Sequence, residues 1–237
     1  MRQVPKYLVV GNGRMANHIC HYLSHLNLPY LTWARSKNPL EIFLSYLKQS
    51  THVLILINDS AIDDFIEKYI LPRNLKIVLI HFSGNLSSKY AHGAHSPYTF
   101  TTNLYPFDHY KKIPFIIEFE GPEFSELLPG FKNPHYKIKR CEKSYYHALC
   151  VMANNFTTLL WQKFFTEMQN QFKIDSSHLQ PYLDQTFYNI KHDFKNALTG
   201  PIARQDKKTL LDDLQALEND KFFLIFEAFT KTFIKEM

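Results

Sequence analysis

YLVVGNGRMANHICHYL, residues 7–23, runs from an apolar strand through a glycine turn into a helix. Tyr7 to Val10 supply the strand. Gly11, Asn12, Gly13, Arg14, Met15 and Ala16 form the turn, and Ile19, Cys20, Tyr22, Leu23 and Leu26 recur on one helical face. This order is that of a dinucleotide-binding unit. A pyrophosphate must approach the backbone closely, which Gly11 allows by turning tightly and Gly13 by carrying no side chain. Ala16 lets helix and strand pack closely, and the helix would aim its free N–H groups and the positive end of its dipole at the phosphates. Asn12, Arg14 and Met15 complete the residues expected around the cofactor.

The end of the second strand selects the cofactor. Enzymes that prefer NAD carry an acidic residue there, about 20 residues beyond the glycines, to hold the ribose 2′-hydroxyl. After the expected strand Pro29 to Trp33 this chain instead has Ala34, Arg35, Ser36 and Lys37. A guanidinium, a hydroxyl and an ammonium suit a 2′-phosphate, so NADP(H) is expected, with Arg35 and Ser36 in contact.

Outward from this unit, apolar runs at His52 to Ile57 and Lys76 to His81 flank a helical stretch from Ala61 to Tyr69. Short unbroken apolar runs suit parallel strands covered on both faces, which makes the fold α/β, a Rossmann-type doubly wound parallel sheet. Ligands of such sheets bind beyond the carboxyl ends of the strands, so Asn58, Asp59 and Ser83 are expected near the cofactor. A Pro-interrupted, aromatic-rich stretch follows at residues 94–122, with one further strand expected from Phe115 to Phe119. From Glu142 onward the spacing is helical, ending in a stripe of Phe222, Phe223, Phe226, Phe229 and Phe233. The expected organisation is a nucleotide-binding domain over residues 1–140 and an all-helical domain over 141–237. The phenylalanine stripe reads as core or subunit interface.

Composition narrows the class. The chain has 237 residues and a net charge of +5, which is too weakly basic for a nucleic-acid domain even though Lys132, His135, Lys137, Lys139, Arg140 and Lys143 cluster. That cluster reads as a solvated segment between domains. Cys20, Cys141 and Cys150 are odd in number and show no CxxC spacing, which excludes a disulfide framework or cysteine metal site and fits a reducing compartment. No metal site is expected. The N-terminus lacks the apolar core of a signal peptide and no apolar run is long enough to span a bilayer, so a cytoplasmic protein without a membrane partner is expected.

Familiar catalytic spacings are missing. No Tyr is followed four residues later by Lys, and no Lys by Asn at that offset, nor is there a GxxxxGK loop. If hydride transfer occurs, another group handles the proton. YYHALCVMANN offers His147 with Asn154 and Asn155 about two turns further on; an imidazole titrates near working pH and an amide can orient a carbonyl. ALTGPIARQD, from Ala197 to Asp206, breaks the helical pattern and offers Thr199 and Arg204 as an anion clamp. Asp206, three residues before Thr209, is equally suited to cap a helix.

GNGRMA, HFSGNLSS, GAHSPYTF, YHALCVMANN and ALTGPIARQDKKTL, in that order, resemble bacterial Rossmann-like NADP oxidoreductases whose helical C-terminal domain is one of unknown function. That family is similar to pyrroline carboxylate reductase, prephenate dehydrogenase and the deazaflavin-linked NADP oxidoreductases. The resemblance implies a homodimer formed through the helical domain. It also implies a cleft between the domains, where the nicotinamide faces His81, Ser83, His95, His147, Asn155 and the Thr199 to Arg204 loop. The chain departs from the family at Ser96, where Pro is usual after the histidine, and at Gln205, where Gly is usual. The expected activity is NADP(H)-dependent oxidation or reduction of a small carbonyl or imine substrate. His147 would move the proton, Asn155 and Ser83 would orient the substrate, and Thr199 and Arg204 would complete the site. The alternative is a nucleotide-binding sensor or interaction protein that keeps the cofactor site without catalysis.

Overall fold

The computed structural model describes residues 5–234. Its seven-stranded sheet has the order β2-β1-β3-β4-β5-β6-β7, with β1 at Tyr7–Val10, β2 at Tyr30–Trp33, β3 at His52–Ile55, β4 at Val78–His81, β5 at His92–His95, β6 at Phe115–Glu118 and β7 at His135–Ile138. β1 to β5 run parallel, β6 is antiparallel to β5, and β7 is parallel to β6. Because β1 pairs with both β2 and β3, the winding reverses at β1 and opens a crevice at its carboxyl end. The Rossmann-type architecture is therefore present.

Helices α1 (Arg14–His25), α2 (Leu40–Gln49) and α3 (Ile62–Tyr69) connect the first four strands. Strand alternation divides the apolar side chains between two faces. Tyr7 and Val9 join a core with Ile19 and Leu23 of α1 and with the aromatic segment Tyr110, Phe115, Phe124 and Phe131. Leu8 and Val10 join the other core with Phe43, Leu47, Ile62 and Ile66 of α2 and α3. The short helices α4 (Phe107–Tyr110) and α5 (Phe124–Leu127) lie along the later part of the chain.

Two strands carry no sequence signature of their own. β5 reads His-Gly-Ala-His because the space beside it is taken: a Cβ on Gly93 would lie 2.5 Å from Lys143 Nζ and 2.9 Å from Glu118 Oε1. β7 is the outer strand of the sheet, and His135, Tyr136 and Lys137 fit the polar character that protects sheet edges. The basic cluster is thus not simply a solvated linker. Part of it is strand, and Lys143 is buried against Glu118.

The chain forms two compact units, Met1–Leu159 and Leu160–Met237. The first holds the sheet, α1 to α5, helix α6 (Lys143–Cys150), a π-helical segment at Val151–Phe156 and the start of α7 (Thr157–Asn170). The expected domain border at residue 140 thus falls inside this unit, just before α6. The second unit contains α8 (Gln180–His192), α9 (Gly200–Arg204), α10 (Lys207–Ala216) and α11 (Phe223–Phe233). Within it Trp161 meets Tyr182 edge-on at 5.5 Å, and Lys163 pairs with Glu167 and Asp220. Asp206 caps α10 by accepting the Thr209 N–H at 3.2 Å, so the capping reading of that residue holds.

Candidate functional site

Gly11 and Gly13 do different work. Gly11 sits at φ +125°, and a Cβ there would lie 2.2 Å from the Leu56 carbonyl oxygen, so this glycine is required by β3's neighbouring chain. Gly13 has an ordinary φ, and a Cβ on it would meet nothing within 4 Å. Its bareness serves the open space in front of it. That space is a cleft of about 1000 Å³ lined by Gly11 to Ala16, Leu56 to Asn58, Tyr98 to Thr101, Asn154, Asn155 and Thr158. The N-terminus of α1 opens into it with no side chain capping it.

The cleft has a braced outer wall. His18, buried on α1, donates from Nε2 to the Thr101 carbonyl at 3.0 Å while its Nδ1 accepts from the Tyr110 hydroxyl at 2.7 Å. Tyr105 donates its hydroxyl to the Thr99 carbonyl at 2.6 Å and accepts the Thr101 N–H at 3.2 Å. The aromatic stretch after β5 is therefore scaffolding for residues 98–101. At the far side, Asn12 Nδ2 donates to Ser36 Oγ at 3.1 Å, which ties the glycine turn to the loop after β2. Arg35 and Lys37 on that loop are exposed and make no ion pair among the described residues.

Asn58 lines the cleft, whereas Asp59 is turned to another partner. The Ser83 hydroxyl donates to Asp59 and accepts the N–H groups of Asn85 at 3.3 Å and Leu86 at 3.0 Å. Both residues thus build the turn after β4. His81, fully buried, accepts the Ser83 N–H at Nδ1, and its Nε2 has no partner among the described residues. Burial and the nearby Lys143 ammonium push the His81 imidazole down to about 4.

A second cavity of about 510 Å³ adjoins the first through shared walls at Tyr98, Thr99, Asn154 and Asn155, and is otherwise lined by His95, Pro97, His147, Cys150, Val151 and Ala153. His95, at the end of β5, bonds the Tyr146 hydroxyl through Nδ1 at 2.7 Å. Its ring lies 5.9 Å from that of His147, nearly perpendicular. Both rings close over Gly84: a Cβ there would lie 2.5 Å from His147 Cδ2 and 3.1 Å from His95 Nε2. Burial, reinforced by His147 and Lys143, lowers His95 to about 4. Burial and contact with Cys150 raise the Tyr146 phenol well above its ordinary value.

Helix α6 is anchored at its first residue. Lys143 Nζ donates to Glu118 Oε1 at 2.8 Å, and Arg140 reaches Glu118 Oε2 at 2.9 Å. Burial alone would raise the Glu118 carboxyl, but its bonds and charge contacts with Lys143, Arg140 and the Gly93 backbone hold it below its ordinary value. Past α6 the helix widens into the π segment. Regular helical spacing favours only Asn154 beside His147, yet with the wider turn Asn154 and Asn155 both line the cavity.

Among the expected site residues, Gly11, Asn12, Gly13, Arg14, Met15 and Asn58 line one cleft together with Asn155, and His147 lies in the adjoining cavity. Thr199 and Arg204 belong to the second unit, where Thr199 precedes the short helix α9 and Arg204 ends it, exposed. Gln205 follows in the left-handed conformation at φ +57°, a geometry that glycine would adopt freely. The stretch YYHALCVMANN and the turn after β4 were both expected near the cofactor; the bond from Tyr146 to His95 and the closing of two imidazole rings over Gly84 carry no sequence signal, because they join residues 51 and 63 positions apart. No group of three or more metal-ligating side chains occurs among the described residues, and no described helix is long and apolar enough to cross a membrane.

Residues 121–232 match the family model described as a domain of unknown function, DUF2520. No curated protein sequence matches the chain. Solved structures show the same fold over nearly all of it. An inferred NADP oxidoreductase from Bacteroides fragilis superposes with a TM-score of 0.75 at 17% identity, covering 97% of both chains. An imine reductase from Streptomyces aurantiacus gives 0.66 at 12% identity, covering 95% of this chain and 93% of its own. Pyrroline carboxylate reductase from Plasmodium falciparum, with NADP bound, gives 0.56 at 11% identity and 96% of both chains.

Proposed function

We propose that the chain is an NADP(H)-dependent oxidoreductase acting on a small carbonyl or imine compound. The observation that carries this reading is the junction of two spaces, a cleft at an uncapped helix N-terminus with open room before Gly13 and a histidine-lined cavity next to it. A phosphate bridge fits the first, because α1 offers free N–H groups and Gly13 leaves space for it. The similarity in fold to reductases of nicotinamide type supports the same reading.

When bound, the nicotinamide would supply or accept a hydride. Gly11, Asn12, Gly13, Arg14 and Met15 would surround the pyrophosphate, with Arg35 and Ser36 at the 2′-phosphate and Asn58 at the cleft edge. His147 would give or take the proton at the substrate oxygen or nitrogen, and Asn155 would orient that atom. Ser83 supports the site by holding the turn that carries Gly84. The second unit supports a homodimer: Tyr182, Phe187, Phe194 and Leu198 leave large apolar surfaces exposed, with Phe194 at 75%.

Thermal-shift and fluorescence titrations with NADPH and NADH test the reading. Saturation at about 100 times Kd should stabilise the fold by about 2.7 kcal/mol, and NADPH should bind more tightly. Stabilisation by neither cofactor would refute it.

A further inference from the structure

We propose that His95 is a second substrate-binding group of this site, locked by Tyr146 as an uncharged hydrogen-bond donor through Nε2–H, and that it selects an uncharged carbonyl oxygen or imine nitrogen over a cationic iminium. The inference rests on the reading of the adjoining cavity as the place where substrate binds.

The geometry begins at Tyr146. Its hydroxyl lies 2.7 Å from His95 Nδ1, and a phenol that donates there leaves the imidazole hydrogen on Nε2. That Nε2 is turned toward Gly84, 3.1 Å from the point a Cβ would occupy. His147 Cδ2 comes within 2.5 Å of the same point, so the two rings share one small space. Two imidazolium charges at this separation repel, and a third cation, Lys143, stands behind them on α6. The groups that face His95 are Lys143, Tyr146 and His147 from α6, with Glu118 of β6 paired to Lys143 and the Cys150 thiol beside the Tyr146 hydroxyl; in the proposed arrangement the thiol donates to the phenol oxygen and the phenol donates to His95. The turn after β4 contributes the bare Gly84. One proton at most fits the pair. His95 is the more enclosed of the two and stays neutral as the donor.

Such a donor needs a lone pair to bind. A carbonyl oxygen or a neutral imine nitrogen presents one, while an iminium N–H opposes it. Among the cavity-lining residues none is a carboxylate that would compensate a cationic substrate.

Imidazole NMR on the full chain tests this without cofactor or turnover. In the unmodified protein His95 should show the Nε2–H tautomer and stay neutral until pH nears about 4. Tyr146→Phe should move His95 toward a tautomer mixture, and His147→Gln should raise its titration midpoint. Acetone should shift the His95 Nε2 signal and methylammonium should not. An Nδ1–H tautomer, a His95 already charged at neutral pH, an unchanged tautomer in Tyr146→Phe, or a response to methylammonium instead of acetone would each overturn the proposal. Because none of these readings involves NADPH, failure of the cofactor titration with the tautomer intact would refute the proposed function separately.

Discussion

The two glycines of the nucleotide turn separate stability from binding at the level of single residues. Gly11→Ala places a methyl group 2.2 Å from a backbone oxygen at a φ of +125°, so denaturant unfolding should show a loss of about 3 kcal/mol. Gly13→Ala meets nothing within 4 Å among the described residues. Its stability should change by less than about 1 kcal/mol, while NADPH affinity should fall sharply, as a titration would show. The GNGRMA motif made both glycines legible in the sequence, Gly11 as the turn and Gly13 as the open approach, but not the backbone that crowds Gly11, because that contact comes from Leu56. Arg35 offers a third test. Its exposed guanidinium has no ion-pair partner among the described residues, so Arg35→Ala should leave the fold intact and weaken NADPH about tenfold, with little effect on NADH. Equal weakening of both cofactors would contradict the 2′-phosphate role.

At the level of elements, the parallel strands β1, β3 and β4 were legible because both of their faces are buried and their runs are apolar. β5 was not, since an ion pair fills the space beside Gly93. That pair joins Glu118 to Lys143 across 25 positions, a relation that no local periodicity records. It also sets where α6 starts, and with it Tyr146 and His147. Lys143→Met would leave Glu118 with the half-exposed Arg140 as its one ion-pair partner among the described residues. We expect a loss of about 3 kcal/mol in unfolding experiments, together with weakened hydrogen-exchange protection in α6. A combined Glu118→Leu and Lys143→Met replacement should cost less than the single change, because no unpaired charge remains buried.

For the whole molecule, the acid side of the stability curve should be steep. His81 and His95 are each held near 4 in the folded chain against 6.5 in the ordinary state, so the unfolded chain binds more protons between those values. Their contribution is complete above about pH 6.5 and is lost as pH falls toward 4; for the fully buried His81 it is about 3 kcal/mol. Glu118, held below its ordinary value, adds a further loss at still lower pH. Unfolding midpoints measured from pH 7 to 4 should fall accordingly, and His81→Asn should flatten the upper part of that curve. Sedimentation should report a dimer, as the exposed apolar side chains of α8 and of the segment after it imply. The helical character of the second unit was plain from spacing, but spacing could not tell which apolar positions stay uncovered.

The π segment at Val151–Phe156 makes the chain sensitive to length in a way substitutions would not reveal. Such a turn holds one residue more than an α-helical path needs. Deleting a single residue there would let ordinary helical bonding close up, so the rod would survive. Everything after the deletion would keep its bearing on His147, Thr158 at the cleft included, and only the residues of the wide turn itself, Asn154 and Asn155 among them, would be re-aimed. A chain one residue shorter between 151 and 156 should therefore keep its helix and its cleft wall but present one amide where this one presents two.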